Sequence, residues 1–136
     1  MIEIKNISKR FGKLEVLKNV SITMEAGECI ALIGPNGCGK KTLIKSILGM
    51  VIPTEGEVLV NNKVIKNDYL YRENIGYMPQ IGRYPETMTI GQEVEMIQEI
   101  RNKKEIEDKD LYRAFEIEKL SQKKMGTLSG GTTQKV

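Results

Sequence analysis

The chain has 136 residues, of which 40% are hydrophobic and 29% charged, and its formal net charge is +3. This length suffices for one domain with an apolar core, while the nearly balanced charge, with no block of like sign, argues against a nucleic-acid binder. A bilayer span needs roughly 20 apolar residues, far more than runs such as Ile30–Ile33 provide. The two cysteines, Cys29 and Cys38, form no metal-binding pattern, which favours a cytosolic protein with free thiols.

Alternation of apolar and polar side chains predicts strands within residues 1–25, with a turn at Phe11–Lys13 between them. The next segment, Glu28–Ile33, is a short apolar run. We predict that it is a strand buried on both faces, as in a parallel sheet covered by helices.

A helix and a hairpin are predicted next. Apolar residues on one helical face define the helix, which Gly49 can end: Leu43, Ile44, Ile47 and Leu48. Val58–Val60 and Val64–Ile65 flank the turn residues Asn61–Lys63, a pattern typical of a β-hairpin.

The pattern changes from strand to helix in the second half of the chain. Ile75–Met78 is predicted as a further short strand, stopped by Pro79. Thr89 and Gln92 have the spacing of a capping box. This box opens a predicted helix with an apolar stripe: Ile90, Val94, Ile97 and Ile100. A second helix is predicted over Asp110–Leu120, with one apolar face: Leu111, Ala114 and Phe115.

The run from Gly34 to Thr42 lies between a predicted buried strand and a predicted helix, which is the context of a P-loop. Its glycines let backbone N–H groups turn toward an anion, and the helix dipole adds positive potential. Lys40 supplies a cation for the terminal phosphates. The alternative is a glycine-rich turn without a ligand. The candidate nucleotide-binding residues are Gly34, Asn36, Gly37, Cys38, Gly39, Lys40, Lys41 and Thr42.

One position departs from the P-loop pattern. The residue after Gly39-Lys40 should carry a hydroxyl that holds Mg²⁺, and here it is Lys41. An ammonium has no lone pair for a metal and repels it, while the hydroxyl of Thr42 points about 100° away around the helix. We therefore predict weakened Mg²⁺ binding, with Lys41 contacting phosphate directly.

A second group of motifs raises a family resemblance. Leu128-Ser129-Gly130-Gly131 follows the P-loop, with Tyr77-Met78-Pro79-Gln80 between them. With these motifs in this order, the chain resembles the ABC-type ATPases over its whole length. The resemblance implies an α/β fold of the P-loop NTPase, ABC-ATPase type. It also implies an N-terminal antiparallel β region and a partial helical subdomain, incomplete C-terminally. We place the P-loop core at residues 1–85 and the helical subdomain at 86–136.

The resemblance also assigns roles to individual residues. Phe11 matches the aromatic residue that stacks on adenine, and residues 34–42 match the Walker A motif. Gln80 matches the Q-loop glutamine, which senses Mg²⁺ and the transmembrane partner, and is the candidate catalytic and metal residue. The signature-motif residues Ser129, Gly130 and Gly131 would bind the γ-phosphate of ATP held by the opposite subunit of a dimer.

The chain departs from the family in its last residues. Thr132 stands where the family usually has Gln, and Thr133 where it commonly has a basic residue. The sequence ends at Val136, before the family's Walker B aspartate, catalytic glutamate and switch histidine. We therefore expect very slow hydrolysis by this chain alone. We also expect a fragment or truncated gene product that is unstable or aggregates.

The leading hypothesis is an ATP-binding subunit that powers transport through a separate permease, works as a dimer and lies on the cytoplasmic face of the membrane. The stretch Ile75–Met96 is similar to ATPase subunits linked to copper-enzyme maturation. Two alternatives stay open. One is a non-catalytic nucleotide-binding remnant, which Lys41 favours. The other is a non-transport ABC ATPase acting on nucleic acid or the ribosome, although no long coiled-coil or basic insertion is visible.

Overall fold

The computed structural model describes residues 1–79, 84–102 and 109–133. The chain divides into two compact units, residues 1–76 (unit 1) and 77–136 (unit 2). Each unit has an apolar cluster of its own. Within the described ranges, no helix is long and apolar enough to cross a bilayer.

Unit 1 is built on an antiparallel sheet with strand order β2-β1-β3-β4. The strands are β1 (Ile2–Phe11), β2 (Leu14–Met24), β3 (Glu55–Val60) and β4 (Lys63–Val64). Phe11 pairs with Leu14, so the predicted first turn is confirmed and shortened to Gly12 and Lys13. Val60 pairs with Lys63, which confirms the predicted hairpin but places Lys63 in the strand. Asn61 and Asn62 both have positive φ, as a type I′ turn requires.

The core of unit 1 forms where a β-bulge changes the buried face of β1. Ile4 and Ile7 are both buried although they are three positions apart, which strict alternation would not allow. The register shifts between them, and Asn6 lies there with a φ of 49°. The helix α1 (Lys40–Ile47) completes this core by adding buried Leu43, and the predicted helix is confirmed.

The predicted buried strand at Glu28–Ile33 is wrong. These residues belong to no strand and are exposed, with Ile33 at 89%. A buried parallel strand needs hydrogen-bonded neighbours and helices on both faces, and the described residues provide no such neighbour for it. The strand predicted at Ile75–Met78 is also wrong, because these residues belong to no strand and Met78 is 72% exposed.

Unit 2 is helical, and its first helix, α2 (Ile90–Ile100), begins at the predicted capping box. The backbone N–H of Gln92 donates to Thr89 Oγ1 at 3.3 Å, and the N–H of Thr89 donates to Gln92 Oε1 at 2.9 Å. The apolar stripe holds only at its start, since Ile90 is fully buried while Ile100 is 74% exposed.

The prediction of one continuous helix over Asp110–Leu120 is wrong. The segment is broken into α3 (Lys109–Ala114) and α4 (Ile117–Leu120), because Glu116 has a left-handed φ of 52°. The break buries Ile117 beside Ile90 and Met125, and Tyr112 rather than the predicted Leu111 packs against this cluster. The short helix α5 (Gly130–Thr133) follows.

A substitution at Gly56 tests the close approach of β3 to the backbone of β1. Gly56 has a φ of +76°, and a Cβ there would lie 2.3 Å from the carbonyl oxygen of Lys5. Gly56→Ala should therefore lower the free energy of unfolding by about 3 kcal/mol or more, measured by urea denaturation. Gly27→Ala is the matched control, since Gly27 has a φ of +83° in open space and should lose only about 1–2 kcal/mol. Equal losses would contradict the clash.

Candidate functional site

The glycine-rich loop is anchored at its last residue. Gly39 is the N-cap of α1, with φ 93° and ψ 0°, and it is buried. A Cβ there would lie 2.7 Å from the carbonyl oxygen of Val16 and 3.0 Å from Leu17 Cδ2. The position therefore accepts only glycine. The last loop residue before α1 therefore packs closely against β2. This contact fixes the position at which α1 begins.

The Lys40 ammonium lies against Gly34 and Pro35, the first two residues of the loop, which form the mouth of the loop. Its Nζ donates to the carbonyl oxygens of Gly34 at 2.6 Å and Pro35 at 2.7 Å, and it lies 3.6 Å from Cys38 Sγ. Among the described residues, no carboxylate forms an ion pair with Lys40. Within the described ranges, its hydrogen-bond partners are neutral acceptors, which a phosphate can replace with a stronger contact between opposite charges.

Lys41 and Thr42 extend the site along the first turn of α1. Lys41 is exposed, and Thr42 is half-buried. The backbone carbonyl of Thr42 accepts a hydrogen bond from Ser46 Oγ at 2.9 Å, a contact within the helix. The first turn of α1 contains no acidic residue. The helix N-terminus thus presents two adjacent lysines without a compensating carboxylate on that turn.

Phe11 ends β1 with a side chain that is 50% exposed. The Lys9 ammonium lies 5.1 Å from the centroid of its ring and also donates to the carbonyl oxygen of Ile52 at 2.6 Å. This exposure argues against a role in the core. The cation–π contact stabilises the position of this half-exposed ring.

The signature segment belongs to unit 2 and Phe11 with the glycine-rich loop to unit 1. Ser129 Oγ accepts a hydrogen bond from the backbone N–H of Thr132 at 3.3 Å and lies 2.9 Å from Thr132 Oγ1. Thr132, one of the departures from the family pattern, thus holds the Ser129 hydroxyl at the start of α5. Gln80 lies outside the described residues.

Two features of unit 1 were not predicted from the sequence. Val16 and Leu17 support Gly39, a contact between residues distant in sequence that local patterns do not indicate. A cleft of about 390 Å³ lies elsewhere in unit 1, between residues 46 and 72, with Val51, Ile65 and Arg72 in its lining. None of Gly34–Thr42 lines it, so it is separate from the loop.

A glycine-rich loop that precedes a helix N-terminus, with a lysine at its mouth, has the arrangement of a phosphate-binding P-loop. The model of the ABC transporter family matches residues 17–136, so the chain belongs to that family.

Curated relatives match part of this region. The chain is 49% identical over 67 residues to the methionine import ATP-binding protein MetN of Clostridioides difficile (strain 630), covering 49% of this chain and 21% of that protein. It is 46% identical over 63 residues to the spermidine/putrescine import ATP-binding protein PotA of Nitrosospira multiformis, covering 46% and 17%. The matches thus span about a fifth of each relative, and the two relatives differ in cargo.

Solved structures extend the likeness to nearly the whole chain. An ATP-binding subunit of an ABC transporter superposes with a TM-score of 0.85 at 28% identity, covering 98% of this chain and 58% of that one. A dimeric ATP-binding cassette, in a post-hydrolysis state bound to ADP and Pi, superposes with a TM-score of 0.78 at 27% identity, covering 99% and 66%. The predicted α/β fold of the ABC-ATPase type is confirmed.

Replacing Phe11 by alanine tests whether its ring stacks on the adenine base of ATP. Phe11→Ala should weaken ATP binding about tenfold, because base stacking on an aromatic ring is worth about 1–3 kcal/mol, and it should leave binding of inorganic triphosphate unchanged. Fluorescence titration measures both affinities. Phe115→Ala, at a ring of unit 2 that is 40% exposed, is the control. Equal weakening for ATP and triphosphate would show that Phe11 does not contact the base.

Proposed function

We propose that this chain is the phosphate-holding part of an ATP-binding subunit that powers transport across a membrane through a separate permease. The observation that carries the proposal is the Lys40 ammonium at the mouth of a loop fixed to β2 by Gly39. Membership of the ABC transporter family and relatives whose names describe import ATP-binding proteins support the transport role. The cargo stays open because those relatives differ in it.

The proposed site is shared between two copies or two subunits. Residues 34–42 and Phe11 would hold the phosphates and base of ATP. Ser129, Gly130 and Gly131 would contact the γ-phosphate of ATP held by the opposite subunit. One similar solved structure is a dimer bound to ADP and Pi, which supports this arrangement. The subunit would lie on the cytoplasmic face of the membrane, against the permease.

Hydrolysis needs a group that positions the attacking water. Gln80 is the proposed catalytic and metal-sensing residue. Lys41 specifically favours a second candidate, a chain that binds ATP without turning it over, because that lysine replaces the hydroxyl that such loops use for the metal. An ATPase assay on this chain and on a version extended by the family's Walker B segment separates the two candidates. Turnover in the extended chain supports the catalytic subunit, and tight binding without turnover in both chains supports the non-catalytic one.

Nucleotide binding is tested by removing the cation at the loop mouth. Lys40→Ala should weaken ATP binding about ten- to a hundredfold, because it removes a charge-assisted contact worth about 1.5–3 kcal/mol from a preformed loop. Isothermal titration calorimetry measures the affinity. Lys45→Ala is the matched control, since Lys45 is exposed in the last turn of the same helix. Unchanged binding in Lys40→Ala would overturn the proposal.

The permease partnership has a separate test. The tagged chain, purified from membranes of its source, should carry an integral membrane protein with it. Nucleic acid or ribosomal protein in its place would support the non-transport alternative and contradict the transport role.

A further inference from the structure

The family implies Mg²⁺ beside the nucleotide, where the ion would offset part of the phosphate charge. The residues present do not fit that ion. Mg²⁺ requires oxygen ligands in near-octahedral geometry, and the position that should offer a hydroxyl is occupied by Lys41. The first turn of α1 has no acidic residue. In the part of the chain that the structure describes, no three acidic, cysteine or histidine side chains cluster as metal ligands.

The positive charge around the loop favours a ligand that is more negative than a magnesium–nucleotide complex. Lys40 and Lys41 add two positive charges to the positive end of α1. Neither lysine forms an ion pair with a carboxylate of the described residues. A metal-free nucleoside triphosphate is more negative than its magnesium complex by the charge of the ion. The electrostatic balance at this helix N-terminus therefore favours the metal-free form.

We propose that this loop binds nucleoside triphosphate without Mg²⁺, and that the Lys41 ammonium neutralises the phosphate charge that the metal offsets in related sites. The inference rests on the proposed function of the loop as a nucleotide site. Lys41 is thus a specificity-determining residue, selecting the metal-free form of the ligand.

The helix geometry directs the side chains of Lys40 and Lys41 to different sides of α1. Adjacent residues point about 100° apart around a helix, so Lys40 and Lys41 approach the phosphate chain from different sides. Lys45 lies one turn beyond Lys41 on the same side, about 6 Å farther along the axis. It is exposed and carries the same charge. A substitution at Lys45 therefore changes the net charge equally without removing a cation from the first turn.

The test compares ATP affinity in EDTA with ATP affinity in excess Mg²⁺, using isothermal titration calorimetry on the full chain. The unsubstituted chain should bind ATP about tenfold more tightly in EDTA, the factor that one charge-assisted contact supplies. Lys41→Ser should lose this preference and bind at least as well with Mg²⁺. Lys45→Ser should keep it, and Lys41→Arg should keep it because the charge remains.

Each other outcome overturns the inference. Tighter binding of the unsubstituted chain with Mg²⁺, or the same preference in Lys41→Ser as in the unsubstituted chain, contradicts the role of Lys41 and leaves the nucleotide site intact. Absence of ATP binding in both conditions overturns the nucleotide site as well. ATP binding by Lys41→Ser in Mg²⁺ shows that this variant is folded, and a retained preference in Lys41→Arg shows that the charge sets the preference.

Discussion

The contact between Gly39 and β2 is the constraint on which the phosphate loop depends. A side chain at this position would collide with the carbonyl oxygen of Val16, at 2.7 Å, so the loop can approach the sheet this closely only through glycine. The contact sets the start of α1 and, through it, the position of Lys40 against the Gly34 and Pro35 carbonyls. A loop pinned at one end to a strand is preorganised for an anion, because less chain entropy is lost on binding.

Local features of the fold were predictable from sequence, and nonlocal ones were not. The Asn61–Asn62 turn and the Thr89 capping box depend on residues within four positions of one another, and both were predicted correctly. Glu28–Ile33 has the composition of a buried strand but lacks a partner among the described residues, since pairing is decided by distant segments. The break at Glu116 was missed because helical periodicity does not reveal a single left-handed residue.

The candidate site also combines local features, which the sequence predicts, with contacts between distant segments, which it does not. The loop residues and Lys40 were predicted from motif spacing alone, whereas their support by Val16 and Leu17 depends on a contact between distant segments. The substitution that gives the site its individual character was visible in sequence, since Lys41 stands where a hydroxyl is expected. The structure adds that no carboxylate on the first turn of α1 offsets the two lysines. Loop shape and loop charge would thus act together: Gly39 fixes the loop against β2, and we propose that Lys41 selects the charge state of the phosphate ligand.

We propose that nucleotide phosphates bind at residues 34–42. Titration with ATP, followed by the change in backbone amide NMR shifts, tests this binding. The largest saturating shifts should fall on the amides of the loop and the first turn of α1, from Gly34 to Thr42. Shifts confined to other segments, such as the cleft between residues 46 and 72, would contradict it.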